Sequence, residues 1–491
     1  MIAPGLRRMT RHAPKALLAI AFAVLGAVAA VLVTAVVVLN AKPGLAVWHL
    51  VHLDEEFTES SPVTSLEEYL ALEDRLFAQL HSEVYARIDD SERTGFNRYN
   101  EGSRSDPARW PQNWNRTYEL ASDAPGFGVL MLHGYSDSPY SLRTLARQLH
   151  EDGGEALGLR IPGHGTVPSG LIHTTFGDMT AAVRIAIKHL ASRVGDKPIF
   201  IVGYSNGGAL AIHYALASLE EAELPRPAGI VLISPEIGIA QIAAYSDWQA
   251  RLGDLLGLEK LSWNSVQPEY DPYKYNSFAV NAGYQAYRAT VEIQLQLDRL
   301  EKQGRLGEIP PILAFQSAAD ATVEARALLT KMFDRLEPAA HHLVVFDVNR
   351  IYAAQGLLES PLDVERLLTG RPRPYGVSVV TNQDGASTSV VVRERPAGGT
   401  AATATELGLT WPGEVYSLSH IALPFPPDDP LYGDGNASEN PGVRLGRLDL
   451  RGENRTLAIP NTAMTRQHWN PFFSLLSSRT REFIGTQSDS R

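Results

Sequence analysis

The 491-residue chain contains no cysteine. Disulfides, thiolate metal sites and cysteine nucleophiles are excluded together, so any covalent chemistry must fall to another side chain. The absence does not fix a compartment, because a core of this size needs no disulfide staples. Acids outnumber cations over most of the length. The net charge is −11, yet residues 1–42 carry Arg7, Arg8, Arg11, Lys15 and Lys42 and no acid, which leaves the other 449 residues at −16. This balance argues against nucleic acid as a main partner, since phosphate contacts need clustered Lys and Arg. An acidic body fits a solvated surface. No repeat of fixed period is present. No metal-ligand set is visible either: tandem Asp428-Asp429 lacks cooperating ligands and reads as a solvated loop. The mix of 44% hydrophobic and 20% charged residues is that of a globular core,, and the length suits one large enzyme domain with additions, or two domains.

One long apolar run stands out. Ala16 to Leu39 holds 24 residues without a charge, about 36 Å as a helix and enough to cross a bilayer with some tilt. The rival reading is a cleaved signal peptide, whose apolar region is about 7–15 residues. The greater length and the poor cleavage site at Leu39-Asn40-Ala41 favour an uncleaved anchor. The cations ahead of the run then place residues 1–15 in the cytoplasm, with the remaining body across the membrane, periplasmic if the source is a bacterium. Residues 40–114 read as a linker, with the acidic patch Asp54-Glu55-Glu56, followed by an amphipathic helix over 65–88. In that helix Ser65 and Glu68 fit a capping box, and Leu66, Leu70, Phe77, Leu80 and Val84 recur at helical spacing,. Residues 89–126 read as loop, with one strand near Tyr118.

From residue 127 short apolar runs alternate with helical stretches. The runs are 128–133, 197–203, 228–234 and 309–316, and the helical stretches are 139–152, 176–194 and 206–219. This alternation predicts a mostly parallel sheet covered by helices, with ligand sites beyond the carboxyl ends of the strands. At one such end lies Gly203-Tyr-Ser205-Asn-Gly207, a G-x-S-x-G placed between a strand and a helix, as a nucleophile elbow requires,. Ser205 is therefore the candidate nucleophile. An oxyanion formed there needs two preorganised donors; the backbone N–H groups of Asn206, just after the serine, and of Tyr135, in Leu132-His133-Gly134-Tyr135, are the candidates. His133 sits at a strand end and reads as a residue that orients its loop rather than as a base.

Three stretches carry a resemblance: 128–142 (Gly-Val-Leu-Met-Leu-His-Gly-Tyr-Ser-Asp-Ser-Pro-Tyr-Ser-Leu), Arg160-Ile-Pro-Gly-His-Gly-Thr166 and Gly203-Tyr-Ser-Asn-Gly-Gly208. Together they resemble the α/β-hydrolase superfamily, closest to its monoacylglycerol lipase, lysophospholipase and bacterial carboxylesterase group, over about residues 115–320 and again near 411–425. The resemblance implies an α/β-hydrolase domain over 115–491, a Ser–acid–His triad in that chain order, and no metal or cofactor. It assigns the acid to Asp320, in the segment after the strand 311–316, with Asp347 as runner-up. It assigns the base to His420, at the end of the strand-like run 411–420, over His341, His342 and His468. The 100 positions between Asp320 and His420 exceed the family's usual gap and call for an insertion at about 347–410, with extra strands near Val377–Thr381 and Ser389–Val392. The low-complexity segment 396–406 reads as a flexible loop.

Residues 235–308 occupy the place of a helical cap. Their aromatics, Trp248, Trp263, Tyr270, Tyr273, Tyr275, Phe278, Tyr284 and Tyr287 among them, suit an apolar acyl pocket or the packing of cap on body,. Glu236 is either a polar contact in the site or a loop residue. The expectation is a membrane-anchored hydrolase of carboxylic esters, lipid-derived or soluble, working through an acyl-enzyme. The alternatives are an acyltransferase or peptidase on the same triad, and a non-catalytic membrane-tethered binding module on the same fold.

Overall fold

The computed structural model describes residues 43–238, 258–351 without 321 and 324, 362–437 without 414, 442–446 and 466–489, together with Leu18, Ala21–Ala23, Leu25, Gly26 and Ala30. The latter seven are helical and exposed. No helix among the described residues is long and apolar enough to cross a membrane; most of the 16–39 run lies outside them, as do Trp248, Leu252, Leu255 and Leu256 of the cap.

The strands are β1 (Tyr118–Leu120), β2 (Phe127–Leu132), β3 (Gly154–Leu159), β4 (Ile199–Tyr204), β5 (Gly229–Ile233), β6 (Trp263–Ser265), β7 (Phe278–Ala279), β8 (Ile312–Ser317), β9 (His342–Phe346), β10 (Gly376–Asn382), β11 (Ser389–Arg395) and β12 (Thr403–Thr410). All but the small β6–β7 ladder belong to one sheet, ordered β1-β3-β2-β4-β5-β8-β9-β10-β11-β12. From β3 to β10 every pairing is parallel. β1 closes one edge antiparallel, and β11 and β12 extend the other edge antiparallel. This is the helix-flanked, mostly parallel sheet that the resemblance implies.

The strand interiors are apolar because both faces are covered. Along β2, Leu130 and Leu132 join one core, with the helices Phe176–Val194, Asn206–Glu220 and Val280–Lys302. Val129 and Met131 join the other core, with the helices Arg143–Glu151 and Phe473–Asp489. The period of two sends alternate side chains to opposite layers.

β3 departs from this pattern, and its sequence, Gly-Glu-Ala-Leu-Gly-Leu, hides it. A Cβ on Gly158 would lie 2.2 Å from the Tyr118 ring, and one on Gly154 2.4 Å from the Phe127 ring. The glycines therefore make room for aromatic rings of neighbouring strands. Glu155 is buried within β3, where its carboxylate accepts from Arg193 Nε at 2.9 Å and Ser122 N at 2.6 Å.

Three stretches differ from their sequence reading. Residues 43–63 are packed rather than free: Trp48, Leu53 and Phe57 are buried, and Glu56 takes both terminal nitrogens of buried Arg160, at 3.0 and 2.9 Å. Glu73, from the helix Leu66–Glu83, holds Arg160 Nε at 3.0 Å, and Tyr69 donates to the Arg160 carbonyl at 2.7 Å. That helix starts on the expected Ser65–Glu68 capping box and ends before the expected 88. Second, of the segment 396–406 read as a loop, residues 396–402 carry no strand but 403–406 open the edge strand Thr403–Thr410, whose β-branched threonines suit an exposed strand,. Third, the described residues of 411–419 contain no strand, because Pro412 and Gly413 break the run, and His420 opens a short 3-10 turn, His420–Ala422,. Within the expected insertion, β10 and β11 occupy the two places where extra strands are expected.

Candidate active site

Ser205 sits between β4 and the helix Asn206–Glu220, with φ 53° and ψ −118°. A non-glycine residue in this region is strained, and it stays there only because its surroundings over-determine it. Two of those surroundings are glycines. A Cβ on Gly203 would lie 2.3 Å from the Gly207 carbonyl oxygen, and one on Gly207 2.0 Å from that of Leu132. The close approach of strand, turn and helix thus depends on both. The Ser205 carbonyl is itself held, accepting from Gly208 N at 2.9 Å and Glu236 N at 3.0 Å. Asn206 is the first helical residue, so its N–H lacks an intrahelical acceptor and adds to the positive end of the helix,.

The loop beyond β2 approaches the same point, since a Cβ on Gly134 would be 3.0 Å from the Ser205 Cβ. Tyr135 follows it directly. His133 fixes this loop. Its Nε2 accepts from Ile161 N at 3.1 Å, so Nδ1 carries the proton and donates to the Gly134 carbonyl at 2.9 Å. Burial, first, and then His164 hold its pKa well below the usual histidine range, which keeps the ring neutral. Ser136, next in the loop, has φ 62°, and its carbonyl accepts from Tyr275 N at 2.7 Å.

Asp320 and His420 meet. His420 Nδ1 donates to Asp320 Oδ2 at 2.9 Å, both side chains being buried. This leaves Nε2 with its lone pair, the state a general base needs. Asp320 is held by its own turn, where Oδ1 accepts from Thr322 N at 2.9 Å and Val323 N at 3.0 Å, and by Gln316 Nε2, which donates to Oδ2 at 3.0 Å. Burial raises its pKa, but electrostatic attraction to the His420 ring, the hydrogen bond from it and the two N–H donors outweigh it, and the carboxyl lies below its ordinary value. His420 is positioned without a strand. Ser317 Oγ donates to the Leu418 carbonyl at 2.8 Å, and Asn349, just past β9, donates Nδ2 to Val415 O at 2.9 Å and N to Tyr416 O at 2.7 Å. The His420 ring lies 5.4 Å from that of Tyr204, the residue before Ser205.

The other candidates are occupied elsewhere. Asp347 accepts from Arg350 Nε and Thr381 Oγ1, each at 2.7 Å. His341 Nδ1 accepts from Ile312 N at 3.2 Å, and His342 Nε2 bonds Ser378 Oγ at 2.7 Å. Trp263 packs edge-on against His49, its ring 5.0 Å away, and so joins the cap segment to the amino-terminal region. Asp429 is not a solvated loop residue but a buried anchor, bonded to Arg143 Nη1 at 2.9 Å and Tyr140 Oη at 3.0 Å. Among the described residues, no group of three His, Asp or Glu side chains is placed to hold a metal ion.

A cavity of about 290 Å³ opens beside the site, lined by Ser136 and Ile421, the neighbours in sequence of Tyr135 and His420. Tyr270, Tyr275 and Phe278 of the cap face it, with Lys274, Arg466 and His468. Lys274 and Arg466 are absent from the sequence reading, because a single lysine among tyrosines and a single late arginine carry no motif.

Residues 124–349 match the family model described as serine aminopeptidase, S33. A thermostable monoacylglycerol lipase from Bacillus sp. (strain H-257) is 29% identical over 196 residues, which is 40% of this chain and 71% of that enzyme. Two solved structures are similar over 47% of this chain. One, of the metagenome-derived lipolytic enzymes LipS and LipT, is matched over 87% of its chain at 21% identity and a TM-score of 0.37. The other, a monoacylglycerol lipase of Paleococcus ferrophilus, is matched over 89% at 17% identity and a TM-score of 0.36.

Proposed function

We propose that this chain, a lipase- and esterase-like serine hydrolase similar to members of the α/β-hydrolase superfamily, cleaves carboxylic esters through an acyl-enzyme on Ser205. The observation that carries this reading is the 2.9 Å bond from His420 to Asp320, with the His420 ring 5.4 Å from that of Tyr204, the residue before a strained serine at a strand–helix elbow.

In this mechanism Ser205 Oγ attacks the ester carbonyl carbon while His420 Nε2 takes its proton. The carbonyl oxygen becomes an oxyanion and meets the N–H groups of Tyr135 and Asn206. Collapse of the intermediate breaks the bond to the alcohol oxygen, and the alcohol leaves with the proton from His420. Water, deprotonated by His420, then attacks the acyl carbon, releasing the carboxylic acid and restoring Ser205. Asp320 holds the imidazole tautomer and stabilises the imidazolium without being protonated. The chemistry needs no metal or cofactor.

The substrate is a lipid-derived or soluble ester. Residues 16–39 anchor the body to a membrane with residues 1–15 cytoplasmic, a reading that rests on the length of the apolar run and the cations before it,. Reporter fusions after residue 45 test it, and a cytoplasmic signal there contradicts it. Hydrolysis of a graded series of acyl esters by the wild type and by Ser205→Ala tests the chemistry, and equal rates in both contradict it. The description of the matched family model supports a second reading, hydrolysis of an aminoacyl amide by the same residues. Aminoacyl anilides in the same series separate the two.

A further inference from the structure

The cavity beside Ser136 and Ile421 has an uneven wall. Phe278, Ile421, Phe425 and Leu445 make part of it apolar, while Lys274 and Arg466 bring two cations to the rest. Among the described residues its one carboxylate is already engaged: Asp271 accepts from Tyr432 Oη at 2.6 and 2.8 Å and from Tyr273 N at 2.9 Å. Burial, foremost, raises its pKa to about 6, with those bonds opposing. Lys274 donates to Asp137 Oδ1 at 3.0 Å, which leaves the ammonium further donor capacity. Arg466 is exposed and has no ion pair among the described residues. The two cations line the same cavity. After burial itself, both depress the His468 pKa, to about 4, so His468 stays neutral and adds no charge to the cavity. The Arg466 charge also reaches Tyr204, the residue before Ser205. A neutral alcohol or acyl chain requires no such pair. A planar carboxylate or a phosphate takes charge-assisted hydrogen bonds from both.

We propose that this cavity is an anion subsite, in which Arg466 and Lys274 bind a carboxylate or phosphate group carried by the ester substrate. The inference rests on the ester-hydrolase reading and narrows it to anionic esters. Arg466 is the specificity-determining residue, and Lys274, braced by Asp137, supplies the second contact.

The test compares two near-isosteric butyrate esters, one of 4-hydroxybenzoate and one of its methyl ester, with the butyrate of 4-hydroxyphenyl phosphate as a third arm. The wild type should prefer at least one anionic ester, and the carboxylate and phosphate arms identify which anion fits. Arg466→Gln should lower kcat/KM for the preferred anion about 10–100-fold, with the neutral ester changed less than about twofold, and Arg466→Lys should restore part of the loss. Equal effects on charged and neutral esters, or no effect on either, overturn the proposal while leaving the hydrolase reading intact. Calorimetric binding of the same three esters to Ser205→Ala reads the subsite without turnover. Tighter binding of an anionic ester, abolished in Ser205→Ala/Arg466→Gln, supports the subsite even if the hydrolase reading fails, and indistinguishable binding of all three overturns it.

Discussion

Asp320 and His420 stand 100 positions apart in the chain and 2.9 Å apart in space. Between them run β9, β10, β11 and β12, which widen the sheet at one edge and return the chain to its starting point. The relationship separates the two acids that compete on sequence. Asp320→Asn should lower kcat by roughly 10³–10⁴, because the amide no longer fixes the histidine tautomer. Asp347→Asn should leave kcat within about twofold and cost about 1–3 kcal/mol of stability through Arg350 and Thr381,. Steady-state rates and thermal unfolding of both variants check this pair of outcomes.

The elbow makes a steric prediction. Gly207→Ala places a methyl 2.0 Å from the Leu132 carbonyl oxygen, an obstacle of backbone rather than of a flexible side chain. Strand β2 or the helix must move, and activity should fall at least about 100-fold, as it does when catalytic geometry slips by about 1 Å. Gly283→Ala, in the helix Val280–Lys302 where nothing lies within 4 Å of the added methyl, should leave activity unchanged.

Asp429 makes a stability prediction. Its carboxylate is fully buried beside Arg143 and also receives Leu431 N at 2.9 Å and Tyr432 N at 2.8 Å. Asp429→Ala leaves the Arg143 charge buried without its partner, and a loss of about 3–5 kcal/mol is expected. Chemical denaturation midpoints for wild type, Asp429→Ala and the double variant with Arg143→Met measure it; the double variant should regain part of the loss.

The pH dependence has two limbs of opposite sign. The folded-state pKa of Asp320 is lowered, so its contribution is present above the unfolded value and is lost as pH falls through the folded one,. Glu236 is raised to about 8 by burial, so the folded state keeps a proton that the unfolded state gives up near 4.5. Its contribution is present below about 4.5 and is lost as pH climbs to about 8. Glu236→Gln should therefore flatten the decline between these values and leave the protein more stable than wild type at pH 8.5, by an amount on the order of a few kcal/mol. Urea melts at pH 5, 7 and 8.5 check the slope.

What was legible in the sequence follows from how local each feature is. The elbow is written in five adjacent residues and its flanking strand and helix, so Ser205 could be read directly. β2, β4, β5 and β8 are continuous apolar runs, because parallel strands covered on both faces must be. β3 was missed because its glycines answer to rings on β1 and β2, a requirement invisible along the strand itself. Glu56 looked like part of a solvated acidic patch, since its partner Arg160 lies 104 positions away. Asp429 looked solvated for the same reason, its partner Arg143 being 286 positions distant. The segment before His420 looked like a strand from its apolar residues, yet side-chain bonds from Ser317 and Asn349 hold it.

The central claim is that Ser205 is an activated nucleophile served by His420 and Asp320. A fluorophosphonate probe reacts with such a serine and is read by intact mass and peptide mapping. Wild type should take up one probe at Ser205, His420→Ala and Asp320→Asn should label at least about 100-fold more slowly, and Ser205→Ala should not label. An unlabelled, folded wild type, or labelling that persists in Ser205→Ala, would contradict the account.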